Sequence, residues 1–206
     1  MKTISTKTII IWIAVLILSM PEITIAQKDC DLKKEKDGIK VYSCLTENSE
    51  FKTVKAEFIL NATIDQYINT VLDVASYGEW HYRSVNPRLL KKISDMELIY
   101  YTQVSAPWPI NNRDLILRLN LSVDEITKVL TITLECIPEY LPATENVVRV
   151  PKLYSKMTFT PINESKLKVD YSIHVDPGGQ IPAWIANMFS TQGPYETFKN
   201  LKDRLE

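Results

Sequence analysis

The chain predicts an α+β fold in which a strongly curved antiparallel β-sheet grips one long C-terminal helix. Three observations carry that expectation. Most segments between residues 38 and 176 alternate apolar and polar side chains with the two-residue period of half-buried strands. Their apolar faces need cover. The last stretch, Pro182 to Leu205, switches to helical spacing through Trp184, Ile185, Met188, Phe189, Tyr195, Phe198, Leu201 and Leu205.

The chain opens on a segment read as a leader rather than as fold. Lys2 and Lys7 precede an unbroken apolar run, Ile9 to Leu18, followed by Pro21 and then Thr24 and Ala26 at a cleavage-site spacing. This is the layout of a secretory signal peptide over residues 1–26, with cleavage near Ala26/Gln27. The run Ile9 to Met20 is short of the ~20 residues a spanning helix needs. Cys30 lacks the residues that should precede a lipidated cysteine. The expectation is an exported protein, periplasmic or secreted, with one domain over residues 27–206.

Apolar residues make up 45% of the chain, enough for one core, and 24 basic residues stand against 25 acidic ones. That balance, with basic residues scattered, gives no steering toward nucleic acid. A monomer is expected.

The first element is a hairpin. Asp37-Gly38 is a tight-turn signal, and if Leu32 faces Tyr42, then Cys30 faces Cys44. In an exported chain these two should oxidise, and closing a loop of ~15 residues stabilises by roughly 3 kcal/mol in the entropic account. Cys136, inside an apolar strand pattern, reads as a free thiol with no chemistry. Strands follow at Gly38 to Leu45 and Phe51 to Leu60. A helix then runs through Ile64, Tyr67, Ile68, Val71, Leu72 and Ala75, capped by Asn61 or Thr63 and stopped by Gly78. The segment Trp80 to Arg88 is ambiguous. Further strands are read at Leu98 to Val104, Asp114 to Val123, Val129 to Ile137, Val148 to Pro161 and Leu167 to Asp176, with an exposed loop at Pro138 to Asn146. Pro182 suits a first helical turn, and Gly193-Pro194 should bend the last helix without ending it.

Between Asp176 and the helix, Pro177-Gly178-Gly179 reads as a corner needing positive φ, with Asp176 capping the turn. Several short stretches then resemble the StAR-related lipid-transfer (START) family. "YSIHVDPGGQIPAWIANMF" matches its C-terminal signature at Tyr171, Asp176, Pro177, Gly178, Gly179, Ile181, Pro182, Trp184 and Asn187. "APWPINNRDLIL" matches its loop into a central strand at Pro107, Trp108, Pro109, Arg113 and Asp114. "YGEWHYRSV" matches at Tyr77, Glu79 and Trp80, and "DGIKVYS" matches its first hairpin. The matches lie in order across the mature chain. The resemblance implies the helix-grip fold, a tunnel for one lipid or other large apolar molecule, and neither metal nor cofactor nor catalysis. Two departures stand out: cleavage near Gln27 leaves no room for the family's extra leading helix, and Cys30 and Cys44 replace residues of other types. No acid–arginine pair of the kind that marks some sterol carriers is evident, because Leu115, Leu117 and Leu119 share one side of their strand.

The candidate ligand-contacting residues are Tyr100, Trp108, Arg113, Tyr154, Trp184, Asn187, Met188 and Thr191. Trp184, Met188, Thr191 and Tyr195 fall on one helical stripe, which is either core or, by the resemblance, a tunnel wall. Asn187 and Thr191 are polar beside it and need partners, a ligand headgroup or a backbone carbonyl. Arg113-Asp114 is either an ion pair bracing a strand start or, at Arg113, a headgroup contact. Trp108, held between two prolines, fits a gate that makes transient membrane contact or packs on a neighbouring loop. His81 and His174 have no carboxylate or cysteine at suggestive spacing. The reading is a lipid-binding carrier. The alternatives are a helix-grip enzyme of the polyketide cyclase/dehydratase type, for which Tyr100, Tyr154 or Arg113 would serve as acid–base groups, and a protein-interaction module whose cavity is packed shut.

Overall fold

A computed structural model describes residues 30–108 and 110–206. The leader assigned to residues 1–26 lies outside the described residues, as does Pro109 of the Trp108 loop.

Strands β1 (Cys30–Lys36) and β2 (Ile39–Cys44) form the expected hairpin. Asp37 and Gly38 take φ of 54° and 70°, the left-handed pair that a two-residue turn requires. Leu32 pairs with Tyr42 and Cys30 with Cys44, and the two cysteines are joined in a disulfide. β3 (Thr53–Leu60) pairs with β2 and leads into α1 (Ile64–Leu72). Thr63 caps α1 through a reciprocal box: its Oγ1 accepts from the Gln66 N–H at 3.1 Å, and Gln66 Oε1 accepts from the Thr63 N–H at 2.8 Å.

The expectation that α1 continues to Gly78 is corrected. It ends at Leu72, with Asp73 as C-cap, and passes through a 3₁₀ turn, Val74–Ser76, into α2 (Tyr77–Trp80). Side chains take the carbonyls that a continuing helix would use. Tyr77 Oη donates to Val71 O, and Ser76 Oγ donates to Asp73 O at 2.9 Å. The ambiguous segment after Trp80 becomes β4 (Ser84–Ser94). It is a sheet edge, where Pro87 costs no ladder bond, and three register shifts against β5 (Glu97–Val104) bend it.

β6 (Arg113–Val123), β7 (Leu130–Cys136), the short β8 (Val148–Arg149), β9 (Lys152–Asn163) and β10 (Lys166–Asp176) complete a sheet of ten strands among the described residues. Its order is β1-β2-β3-β10-β9-β7-β6-β5-β4, antiparallel throughout, with β8 lying parallel beside β6. The segment after Pro138 that reads as loop holds a 3₁₀ turn, Pro138–Tyr140.

The C-terminal helix comes in two pieces, α3 (Ala183–Phe189) and α4 (Gln192–Leu205). The break falls at Ser190–Thr191, ahead of the expected bend at Gly193-Pro194. Pro194 explains the offset: its ring excludes a helical carbonyl four residues earlier, at Ser190, and it supplies no N–H to bond it. α4 lies on the sheet, with Phe198 between Phe58 and Tyr171, each at 4.8 Å between ring centroids. Tyr195 Oη donates to Asp37 Oδ2 at 2.5 Å, Thr197 Oγ1 accepts from the Tyr82 N–H at 3.1 Å, and Asn200 Nδ2 donates to Trp80 O at 3.1 Å. Hairpin, α2 and sheet therefore all hold α4.

Candidate functional site: an apolar cavity under the C-terminal helices

The concave face of the sheet and the C-terminal helices do not meet everywhere. Between them lies a cavity of about 510 Å³. Its sheet wall comes from alternate residues of several strands, among them Leu115, Leu117 and Leu119 of β6, Leu153 and Met157 of β9, and Tyr171, Ile173 and Val175 of β10. Two-residue periodicity puts these on one face. Tyr77, Trp80 and Tyr100 close one part of the wall edge to face, with centroids 5.2 Å apart from Tyr77 to each of the other two. Burial raises the Tyr77 and Tyr100 phenols well above their ordinary pKa, so both are neutral O–H groups. On the other side the wall is Ile185, Ala186, Phe189 and Ser190 of α3 and its end, then Pro194, Thr197, Phe198 and Leu201 of α4.

Not all the residues named from the sequence come together here. Tyr100, Arg113 and Asn187 line the cavity. Tyr154 does not: Leu153 faces inward, so its neighbour must face out, and Tyr154 is exposed. The stripe Trp184, Met188 and Thr191 is also off the wall. Trp184 and Met188 are 68% and 60% exposed, and α3 turns Ile185, Ala186 and Phe189 inward instead. Tyr195 leaves the stripe as well, since it is buried toward Asp37 rather than lining the cavity. Trp108 stands 93% exposed, while Pro107 and Ile110 of the same loop line the cavity.

Asn187 satisfies itself on backbone. Its Oδ1 accepts from the Lys52 N–H at 2.8 Å and its Nδ2 donates to Glu50 O at 2.9 Å. The corner before α3 forms as expected: Gly178 and Gly179 have φ of 65° and 71°, and Asp176 Oδ1 accepts from the Gly178 N–H at 2.9 Å. A side chain on Gly178 would also strike Pro151 and the Arg149 carbonyl, at 2.9 and 3.0 Å from its Cβ.

Arg113 and Asp114 do not pair with each other, because adjacent strand residues face opposite sides of the sheet. Asp114, fully buried, receives a two-pronged contact from Arg149, Nε to Oδ1 at 2.8 Å and Nη2 to Oδ2 at 2.9 Å. Arg149 in turn donates to the Leu141 and Pro142 carbonyls, each at 3.0 Å, and to Pro138 O. Arg113 shares the inward face with Leu115, Leu117 and Leu119. It is 9% exposed, its Nη1 donates to Asn111 O, and its buried Nε has no partner. Burial pulls its pKa below the ordinary guanidinium value. The strand parity of β6 already contained this orientation.

His81 also lines the wall, and burial lowers its pKa to about 4, so it is neutral. Cys136 is a free, partly buried thiol that donates to Val150 O at 3.2 Å.

The START domain profile matches residues 28–206. The chain belongs to the START domain family. An uncharacterized protein of Pseudomonas aeruginosa is 28% identical over 179 residues, covering 87% of this chain and 88% of that protein. The phosphatidylcholine transfer protein of Mus musculus is 26% identical over 190 residues, 89% of this chain and 86% of its own. Among solved structures, the STAR-related lipid transfer protein of Xanthomonas axonopodis superposes with a TM-score of 0.79 at 31% identity, covering 85% of this chain and 98% of that one. The likeness to the Xanthomonas structure runs over the whole of the helix-grip fold already described.

Proposed function

We propose that this START domain is a carrier that encloses one lipid, acyl chains inward, in the cavity between the sheet and the C-terminal helices. The observation that carries the reading is the cavity itself. Its volume lies within the range of small-molecule sites, and its wall is predominantly apolar side chain drawn from both layers of the fold. Burying acyl surface there gains roughly 25 cal/mol per Å² removed from water.

The doorway in this reading lies between the Pro107–Ile110 loop and α3. Both line the cavity on one side and display bare apolar side chains on the other: Trp108 on the loop, and Trp184 and Met188 on α3. Indole and thioether groups of this kind suit a transient seat at a bilayer surface. A carrier rather than an enzyme is supported by the loss of one of the three acid–base candidates from the cavity and by the state of another. Tyr154 lies outside, and Tyr100 is held as a neutral phenol among other rings. Export is supported by the leader pattern of residues 1–26 and by the Cys30–Cys44 disulfide.

The test is to purify the protein from its own host and weigh it intact under native conditions, then extract and identify whatever was bound. A stoichiometric apolar molecule, exchangeable with fluorescent lipid from vesicles, is the expected result. A bare polypeptide mass together with no uptake of such lipid overturns the carrier reading.

A further inference from the structure

The charges on the cavity wall are one-sided. Among the described residues that line it there is no carboxylate; its charged members are Lys52, Arg83 and Arg113. Lys52 and Arg83 are partly or well exposed, and the Lys52 backbone holds Asn187. Arg113 is different in kind, being 9% exposed and within reach of no carboxylate. One of its N–H groups goes to Asn111 O, its Nε–H goes to nothing, and its Nη2 lies beside Gly179, 3.8 Å from where a side chain there would begin.

A buried guanidinium with free donors is costly unless an acceptor arrives. Elsewhere in this protein that cost is met within the fold: Arg149, one strand over, has the Asp114 carboxylate and three carbonyls. Asp114 itself is turned to the opposite side of β6 and its oxygens are taken by Arg149 and Thr144. The partner for Arg113 must therefore come from inside the cavity. The planar fork of arginine matches two oxygens of a phosphate or a carboxylate. A positively charged head, by contrast, would enter a wall that offers it cations and no counter-ion.

We propose that the cavity selects amphipaths whose head carries a net negative charge on oxygen, a phosphate or a carboxylate, and that Arg113 receives that head. This deepens the carrier reading above and rests on it. It sets the ligand apart from a zwitterion, in which the same phosphate brings a quaternary ammonium with it. An acidic phospholipid, a fatty acid and free phosphate share the recognised chemistry, and the experiment separates them.

Protein expressed from the full chain is incubated with vesicles of phosphatidylglycerol and phosphatidylcholine in equal amounts with matched acyl chains. The lipid it withdraws is extracted and quantified; parallel samples receive oleate or inorganic phosphate alone. The expected result is enrichment of phosphatidylglycerol over phosphatidylcholine by about tenfold, the ratio set by one interaction of ordinary strength. Arg113→Gln should return the ratio to about that of the vesicle while still loading lipid, and Arg113→Lys should keep part of the preference. Equal loading of both lipids by the wild type overturns the charge selection and leaves the carrier standing. Loading of neither lipid nor oleate overturns the carrier reading itself, and thermal protection by phosphate without lipid uptake overturns the lipid source. A preference undiminished in a folded Arg113→Gln protein removes Arg113 from the role. Should that variant fail to fold, the wild-type ratio and the Arg113→Lys ratio decide.

Discussion

Asn187 Oδ1 accepts the backbone N–H of Lys52 at 2.8 Å, and with the matching bond from its Nδ2 to Glu50 O this ties α3 to the loop ahead of β3. α4 has several such ties, to Asp37, Tyr82 and Trp80. α3 is seven residues long with no fully buried side chain, so this amide is its main polar anchor. The two halves of the C-terminal helix are thus held with different strength.

Asn187→Ala should therefore loosen the entrance more than the fold. Two backbone bonds of about 1 kcal/mol each are lost, and the groups they leave can reach water. Exchange of a fluorescent lipid between protein and vesicles should accelerate several-fold, with a fall in Tm of only a few degrees. An unchanged exchange rate would place the moving part elsewhere.

The opposite balance is expected at Asp114. Removing its carboxylate as Asp114→Ala strands Arg149 against three carbonyls and no counter-charge. Breaking one side of such a buried pair costs about 3–5 kcal/mol, read by denaturant unfolding. Arg149→Met should cost a similar amount, and the double substitution much less than the sum.

Acid should destabilise the protein through His81. Its folded pKa is about 4 against an ordinary 6.5, because burial disfavours the imidazolium. Between those values the unfolded chain binds the proton and the folded one does not, so stability falls as pH drops from about 6.5 to about 4 and levels off below. The full effect is roughly 3 kcal/mol. His81→Phe should flatten that window, measured as Tm against pH.

Reduction of Cys30–Cys44 should cost about 3 kcal/mol for a loop of this length, but its structural effect should stay local. β1 is an edge strand bonded only to β2. Hydrogen exchange under reductant should rise in Cys30–Cys44 and remain low in β6, β7 and β9.

Local chemistry made much of this structure readable in the sequence. The Asp37-Gly38 turn fixed the hairpin register and hence the cysteine pairing, and Asp176-Pro-Gly-Gly announced its corner. The edge strand β4 escaped notice because Pro87 and three register shifts erase its alternation. The inward face of α3 is hidden in the sequence for a different reason. That helix is apolar on two sides, one toward the cavity and one toward solvent, and periodicity reports a stripe without saying which side is indoors. The break at Ser190–Thr191 compounds this, since it resets the helical phase between Met188 and Tyr195. Arg113 needed only the two-residue count from Leu115, which makes it inward by the same rule that sends Tyr154 outward.

The cavity has a mechanical consequence. A protein built around a partly open apolar cavity of about 510 Å³ holds space that water fills poorly when no guest is present. Hydrostatic pressure favours whichever state eliminates that void. The vacant form should yield at lower pressure than the occupied one, so compressibility gives a gauge of occupancy that requires no label, whatever the chemistry of the guest.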